Sequence, residues 1–323
     1  MRMLILGHGY TAAALTPRLL QDGWIVVGTT RHDAARVSAS GADPVLWPGD
    51  DQRVRAEIRR ADAILISVAP DGSLAAVEGD RAAGGGAAVP EARQRRSQNE
   101  APDRVIAEFE DALIQSNARW VGYLSSTSVY GDHAGAWVDE TTPPNPTSHR
   151  ARARLAAEHA WSQIASRAGW PLTIFRLAGI YGPGRGPLAK LRAGSARRII
   201  KPDQVFSRIH VDDIAGAILA DLKLTRHGSA VPNAPRSENT RILNICDDDP
   251  LPPQDAIEMA ARLADLPVPP AEGFADAEMT PMARSFYRDS KRVRNNRLKE
   301  QLGYALKYPD LRSGLQAIID AER

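Results

Sequence analysis

The chain of 323 residues contains one cysteine, Cys246. No disulfide can form within it, no cysteine cluster can hold a metal, and no metal site is expected. No run of about 18 apolar residues occurs, so the sequence holds no candidate membrane-spanning helix. Arg2 ahead of an apolar run has the look of a signal peptide. Gly7, His8 and Gly9 interrupt that run too early for one. Neither sign of charge dominates: 41 Lys plus Arg stand against 39 Asp plus Glu, a net charge of +2. That balance removes the electrostatic case for nucleic acid or a membrane surface as partner. With 43% hydrophobic and 25% charged residues, the composition is that of a soluble globular protein, and a cytoplasmic location is expected.

What is present begins at once. The apolar run 3–6 leads into Gly7-His8-Gly9-Tyr10-Thr11-Ala12, then a helix-like stretch, then a second apolar run 24–28 ending in Thr29-Thr30-Arg31. Strand, glycine turn, helix and strand in this order bind a dinucleotide. Gly7 permits the tight turn, Gly9 lets the backbone approach a pyrophosphate, and Ala12 lets helix and sheet pack closely. Tyr10 and Thr11 open the helix, whose free N–H groups and dipole favour an anion. An acid after the second strand would hold the ribose 2′-hydroxyl of NAD. Here Thr30 and Arg31 stand there, with Asp33 as the only near acid. Arginine pairs bidentately with phosphate, which favours NADP over NAD. The plain alternative for Arg31 is a solvated loop residue.

Strand patterns at 3–6, 25–28, 45–47, 63–68, 120–125 and 172–177 alternate with helix patterns at 11–22, 52–60, 104–116 and 152–168. Such alternation predicts an α/β fold of Rossmann type, a doubly wound parallel sheet, with a small C-terminal substrate lobe. Residues 1–175 are assigned to cofactor binding and 176–323 to the lobe, with 210–224 and 242–246 packing back on the sheet. Pro17 should kink the first helix or cost it a hydrogen bond. Residues 70–103, with Gly84-Gly85-Gly86, three prolines and Arg93, Arg95 and Arg96, read as a long loop insertion.

Small hydroxyl residues crowd the end of the fifth strand in Ser125-Ser126-Thr127-Ser128-Val129-Tyr130-Gly131, facing the ligand crevice of an open α/β sheet. The stretches Phe175-Arg176-Leu177-Ala178-Gly179-Ile180-Tyr181-Gly182 and Ser207-Arg208-Ile209-His210-Val211-Asp212-Asp213 follow. With the N-terminal turn and the C-terminal run from Asp289-Ser290-Lys291, these segments resemble the extended short-chain dehydrogenase/reductases, across nearly the whole chain and in order. The resemblance implies nucleotide-sugar epimerases, dehydratases or reductases as relatives. It implies cofactor contacts at Asp50, Val68, Ala69 and Ile180, and a hydroxyl role for Ser126. It also implies dimerisation through a four-helix bundle, a possible homodimer here.

The family's Tyr-x-x-x-Lys pair falls on Arg150 and Arg154 when the following helix is aligned on Glu158. The i,i+4 spacing survives, so the two share a face. Arginine stays protonated at working pH; it can stabilise an oxyanion but cannot take a proton. No tyrosine lies between Tyr130 and Tyr181. The chain therefore resembles atypical members that keep the cofactor fold without that pair.

The candidates are Ser126, Tyr130, Arg150 and Arg154 for catalysis, with His149 as a substitute base. Arg185, Arg208, His210 and Tyr287 are candidates for substrate. Each has a bland alternative: a strand-end cap for Ser126, core packing for Tyr130 and Tyr287, a solvated basic helix face for the arginines. Three functions stay open: an NAD(P)-dependent oxidoreductase or nucleotide-sugar epimerase, a non-catalytic NADP(H)-binding sensor or scaffold, or a lyase or isomerase that uses the cofactor only structurally.

Overall fold

A computed structural model describes residues 1–70, 103–226 and 239–323. The expected loop insertion, apart from its end residues Pro70 and Asp103, lies outside the described residues. Seven strands form one sheet: β1 Arg2–Leu6, β2 Ile25–Thr30, β3 Asp43–Leu46, β4 Ala63–Ile66, β5 Trp120–Ser126, β7 Leu172–Leu177 and β11 Thr240–Ile245. Their order is β11-β7-β5-β4-β1-β2-β3, and every neighbouring pair is parallel. The order reverses between β1 and β4, which places a crevice at their C-terminal ends.

Strands covered on both faces read as continuous apolar runs, and Met3-Leu4-Ile5-Leu6 is fully buried. Alternate side chains take opposite faces. Met3 and Ile5 join one core with helix α1 (Tyr10–Gln21) and the helix Val211–Arg226. Leu4 and Leu6 join another with α3 (Asp51–Arg60), α4 (Arg104–Ile114) and α5 (His149–Ala168). A third core binds Tyr181 and Leu188 to the helices Pro253–Leu263 and Leu311–Ala321. Asp33, Asp50, Asp103 and Ser148 cap their helices by accepting backbone N–H bonds.

One expectation changes and another is narrowed. Helix α1 continues through Pro17, which is exposed and has no N–H to give the ladder. Strand β4 stops at Ile66, so Val68 and Ala69 belong to the loop beyond it. Strand β11 is an edge strand of the large sheet, in parallel register with β7 from Thr240–Leu172 to Ile245–Leu177.

Candidate active site

The glycine turn joins β1 to α1. Gly7 has φ +89°, and a Cβ there would lie 2.9 Å from both the backbone nitrogen and Cγ2 of Val68. Only glycine meets both demands. Its N–H donates to Thr29 Oγ1 at 2.8 Å, and the N–H of His8 donates to the Thr29 carbonyl at 2.7 Å. Around Gly9 the space is open: a Cβ would meet nothing within 4 Å. Gly9 caps α1 without a side chain, and the first bond into the helix runs from Ala13 N–H to its carbonyl at 3.0 Å. The N–H groups of Tyr10, Thr11 and Ala12 are thus unpaired among the described residues. An open approach beside three free N–H groups at a helix N-terminus fits a pyrophosphate.

His8, which carried no role in the sequence reading, is buried beneath this turn. Its Nε2 lies 2.8 Å from Thr16 Oγ1 and 3.3 Å from Ser40 Oγ. Both hydroxyls donate elsewhere, to the carbonyls of Ala12 and Val37. Nε2 therefore carries the proton, and the buried Nδ1 has no partner. Burial, aided by the nearby Arg36 charge, lowers the pKa of His8 to about 4.

Arg31 is exposed and makes no hydrogen bond or ion pair with a described residue. Thr30 Oγ1 accepts from Asp33 N–H at 3.3 Å. Arg36, a second cation that sequence reasoning missed, lies on the helix Ala34–Ala39. It donates to the His8 carbonyl at 2.6 Å and pairs with Asp33 at 3.4 Å. Its signal was its spacing, five residues beyond Arg31. Asp50 is the N-cap of α3, accepting from Arg53 N–H at 3.1 Å, so one of its oxygens is committed to the fold.

Arg185 reaches from the lobe segment to the glycine turn. Its guanidinium stacks over the Tyr10 ring at 5.4 Å, and the Tyr10 hydroxyl donates to the Pro183 carbonyl at 2.9 Å. Both residues therefore flank the cofactor turn. Ile180 is half-buried in the short strand Gly179–Tyr181.

At the crest of β5, Ser126 is half-buried and its Oγ accepts from Ser128 N–H at 3.2 Å. Helix α5 packs on this strand end. Arg154 donates to the Leu124 carbonyl at 2.7 Å. Glu158, one turn on, accepts from Ser125 Oγ and from Arg176 Nε and Nη2, the latter at 2.7 Å. Arg150, one turn back, makes no hydrogen bond or ion pair with a described residue, and its Nε is buried without a partner. His149 is exposed at the first turn.

Tyr130 is withdrawn from the crevice. It is fully buried, its hydroxyl donates to Asn244 Oδ1 at 2.8 Å, and Arg176 covers its ring at 4.9 Å. Burial raises its pKa to about 12, so it is unsuited to proton transfer near neutrality. Arg208 is likewise buried, donating to the carbonyls of Phe206 and Leu251 at 3.1 and 3.2 Å. His210 is wedged between Tyr181 and Tyr308, ring centres 5.2 and 4.3 Å away, and its Nδ1 accepts from Asp212 N–H. Burial lowers its pKa to about 4. In this geometry both side chains are packed within the fold, with His210 Nε2 buried and unpartnered among the described residues. Tyr287 is half-buried, packed against Phe206 and Phe274.

The arrangement offers a dinucleotide seat at the turn and, across the sheet ends, a crest with a hydroxyl and two guanidinium groups. Among the described residues no group of His, Cys, Asp and Glu is disposed to hold a metal, and no helix is long and apolar enough to cross a membrane.

The chain is 27% identical over 320 residues to protein YeeZ of Escherichia coli strain K12, covering 96% of this chain and 97% of that one. A functionally unknown conserved protein from Silicibacter pomeroyi, of solved structure, is 45% identical over 99% of this chain and 98% of its own, with a TM-score of 0.79. The UDP-glucose 4-epimerase of Thermotoga maritima, solved with UDP-glucose, shares the fold at 17% identity. It covers 99% of this chain and 98% of its own, with a TM-score of 0.72. Residues 3–233 match the model of one family, and the chain belongs to it: the NAD dependent epimerase/dehydratase family.

Proposed function

We propose that the protein is an NADP-dependent oxidoreductase or epimerase acting on a nucleotide-linked or otherwise phosphorylated sugar. The observation that carries this reading is the open turn at Gly9 combined with the uncommitted guanidinium of Arg31 beyond β2. The turn seats a pyrophosphate, and Arg31 is free to pair with a 2′-phosphate. A bound nicotinamide supplies hydride acceptance and return. Gly7, Val68 and Ala69 shape the seat, while Thr30 and Arg31 face the adenosine end. Ser126 orients the reacting oxygen, and Arg150 and Arg154 stabilise negative charge on it. With Tyr130 committed to Asn244, the proton comes from His149 or water.

The test is absorbance at 340 nm together with chromatographic product analysis, with purified protein, NADP or NADPH, and a broad panel of sugar nucleotides and sugar phosphates. A cofactor-dependent absorbance change (net redox) or an isomerised product (hydride returned) with any member supports the reading, and neither across the panel refutes it. The buried Tyr130 and the two arginines at the Tyr and Lys positions favour a second reading, a non-catalytic NADP(H)-binding sensor or scaffold. It predicts tight cofactor binding in the same experiment with no turnover.

A further inference from the structure

Helix α5 opens His149-Arg150-Ala151-Arg152-Ala153-Arg154, with no acid in its first turn. Cations at a helix N-terminus oppose its dipole, and like charges at i and i+4 repel. Among the described residues, none of these three arginines has an ion-pair partner. The nearest acid on the inner face, Glu158, is held by Arg176 and Ser125. Arg152 is exposed and donates to the Thr147 carbonyl at 2.9 Å, and Arg154 donates to the Leu124 carbonyl. Among the described residues, Arg150 alone of the three has no acceptor, although its Nε is shut away from water. The fold itself gives no reason for this concentration of charge.

Its position supplies one. Residues 150, 154 and 158 share a helix face. The bonds of Arg154 and Glu158 to Leu124 and Ser125 show that this face looks onto the end of β5. Helix α5 links two parallel strands and runs antiparallel to them, so its first turn, which carries Arg150, lies at the C-terminal end of the sheet where Ser126 stands. We propose that the ligand moiety bound at this crest carries an oxyanion, a carboxylate or phosphate on the reacting sugar itself, docked by Arg150 with Arg154. The inference rests on the preceding reading that the crest is where a sugar reacts. A guanidinium fork matches either oxyanion in a bidentate pair. The anion supplies the missing acceptor for Arg150 and offsets the conflict with the helix dipole. A neutral sugar does neither.

Isothermal titration of the wild-type protein with NADP present, using glucuronate, glucose 6-phosphate and glucose as probes, tests this directly. Both or one of the anionic sugars should bind at least about tenfold tighter than glucose, the stronger of the two identifying the oxyanion. Inorganic phosphate should compete. Arg150→Gln should weaken the anionic probe by about tenfold or more, well beyond any loss for glucose, and be partly rescued by Arg150→Lys. The melting temperature of ligand-free Arg150→Gln should equal or exceed that of wild type, opposite to the loss of a structural contact. Equal binding of charged and neutral sugars to wild type, no anion binding at millimolar concentration, or anion binding indifferent to Arg150→Gln overturns the proposal. Arg150-dependent anion binding without any absorbance change at 340 nm or any converted product would sink the enzyme reading alone. Turnover of neutral sugars without anion preference would sink this inference alone.

Discussion

The guanidinium of Arg36 donates to the carbonyl of His8 at 2.6 Å, tying the helix Ala34–Ala39 to the middle of the glycine turn. Two arginines beyond β2 therefore have different tasks. Arg36 holds the turn, and Arg31 is uncommitted. Arg31→Ala should weaken NADP by about 1.5–3 kcal/mol, the range for a hydrogen bond to a charged group, and barely change NAD. Arg36→Ala should weaken both cofactors, because it loosens the shared turn. Calorimetric titration of each variant with each cofactor separates the two. Equal losses of NADP and NAD in Arg31→Ala would remove the 2′-phosphate role.

The same turn fixes a residue in β2. A Cβ on Gly28 would lie 2.6 Å from Cδ2 of His8 and 2.9 Å from its Cβ and Cγ. The ring cannot swing away without breaking its bond to Thr16. Gly28→Ala should therefore cost about 1–3 kcal/mol in urea unfolding, the usual range for overpacking. Adding His8→Ala should recover part of that loss, since the two sites share one contact. Additive losses in the double variant would show that the clash is relieved elsewhere.

The sheet was legible because its evidence is local. Met3-Leu4-Ile5-Leu6 and Leu172-Thr173-Ile174-Phe175 are buried on both faces, so burial writes itself as apolar runs, unbroken in the first and interrupted only by Thr173 in the second. Gly7, Gly9 and Ala12 were legible for the same reason, as spacing alone states their task. The roles of Tyr130, Arg208 and His210 depend on distant partners. Tyr130 meets Asn244, 114 residues away, and Arg208 meets the Leu251 carbonyl. No periodicity records such a pairing. The glycine turn pointed to His8 only as a spacer, because its ring partner Thr16 lies within α1 and Ser40 caps the end of the separate helix Ala34–Ala39.

The carboxylate of Glu158 and the guanidinium of Arg176 form an ion pair at 2.7 Å, each side chain 3% exposed. Removing one partner leaves a buried charge without compensation. Glu158→Gln should cost about 3–5 kcal/mol in chemical unfolding. Replacing both, as in Glu158→Leu with Arg176→Met, should cost far less and can even stabilise, since two desolvation penalties vanish together. The pair also reaches the site, through Ser125 at the strand end and the Tyr130 ring. A Glu158→Gln protein as stable as wild type would show that water enters the pair.

Acid should destabilise the protein through two buried histidines. An unfolded histidine titrates at 6.5, whereas burial lowers His8 and His210 to about 4 in the folded chain. Between those values the unfolded chain binds protons that the folded chain refuses. Their contribution is therefore complete above about pH 6.5 and is lost as pH falls toward 4. Each histidine contributes at most about 3 kcal/mol over that window, from its shift and the free energy per pKa unit. Burial also raises the carboxyls of Glu140 and Asp213. Those two act in the opposite sense, since protonation then favours the folded state. The histidine effect is accordingly read as a difference between variants. His210→Asn keeps an acceptor for the Asp212 N–H, and His8→Gln keeps a donor toward Thr16. Each should flatten the fall of unfolding free energy between pH 6.5 and 4 when urea melts are run across that range. An unchanged slope in both would mean that the rings are protonated in the folded protein, contrary to their burial.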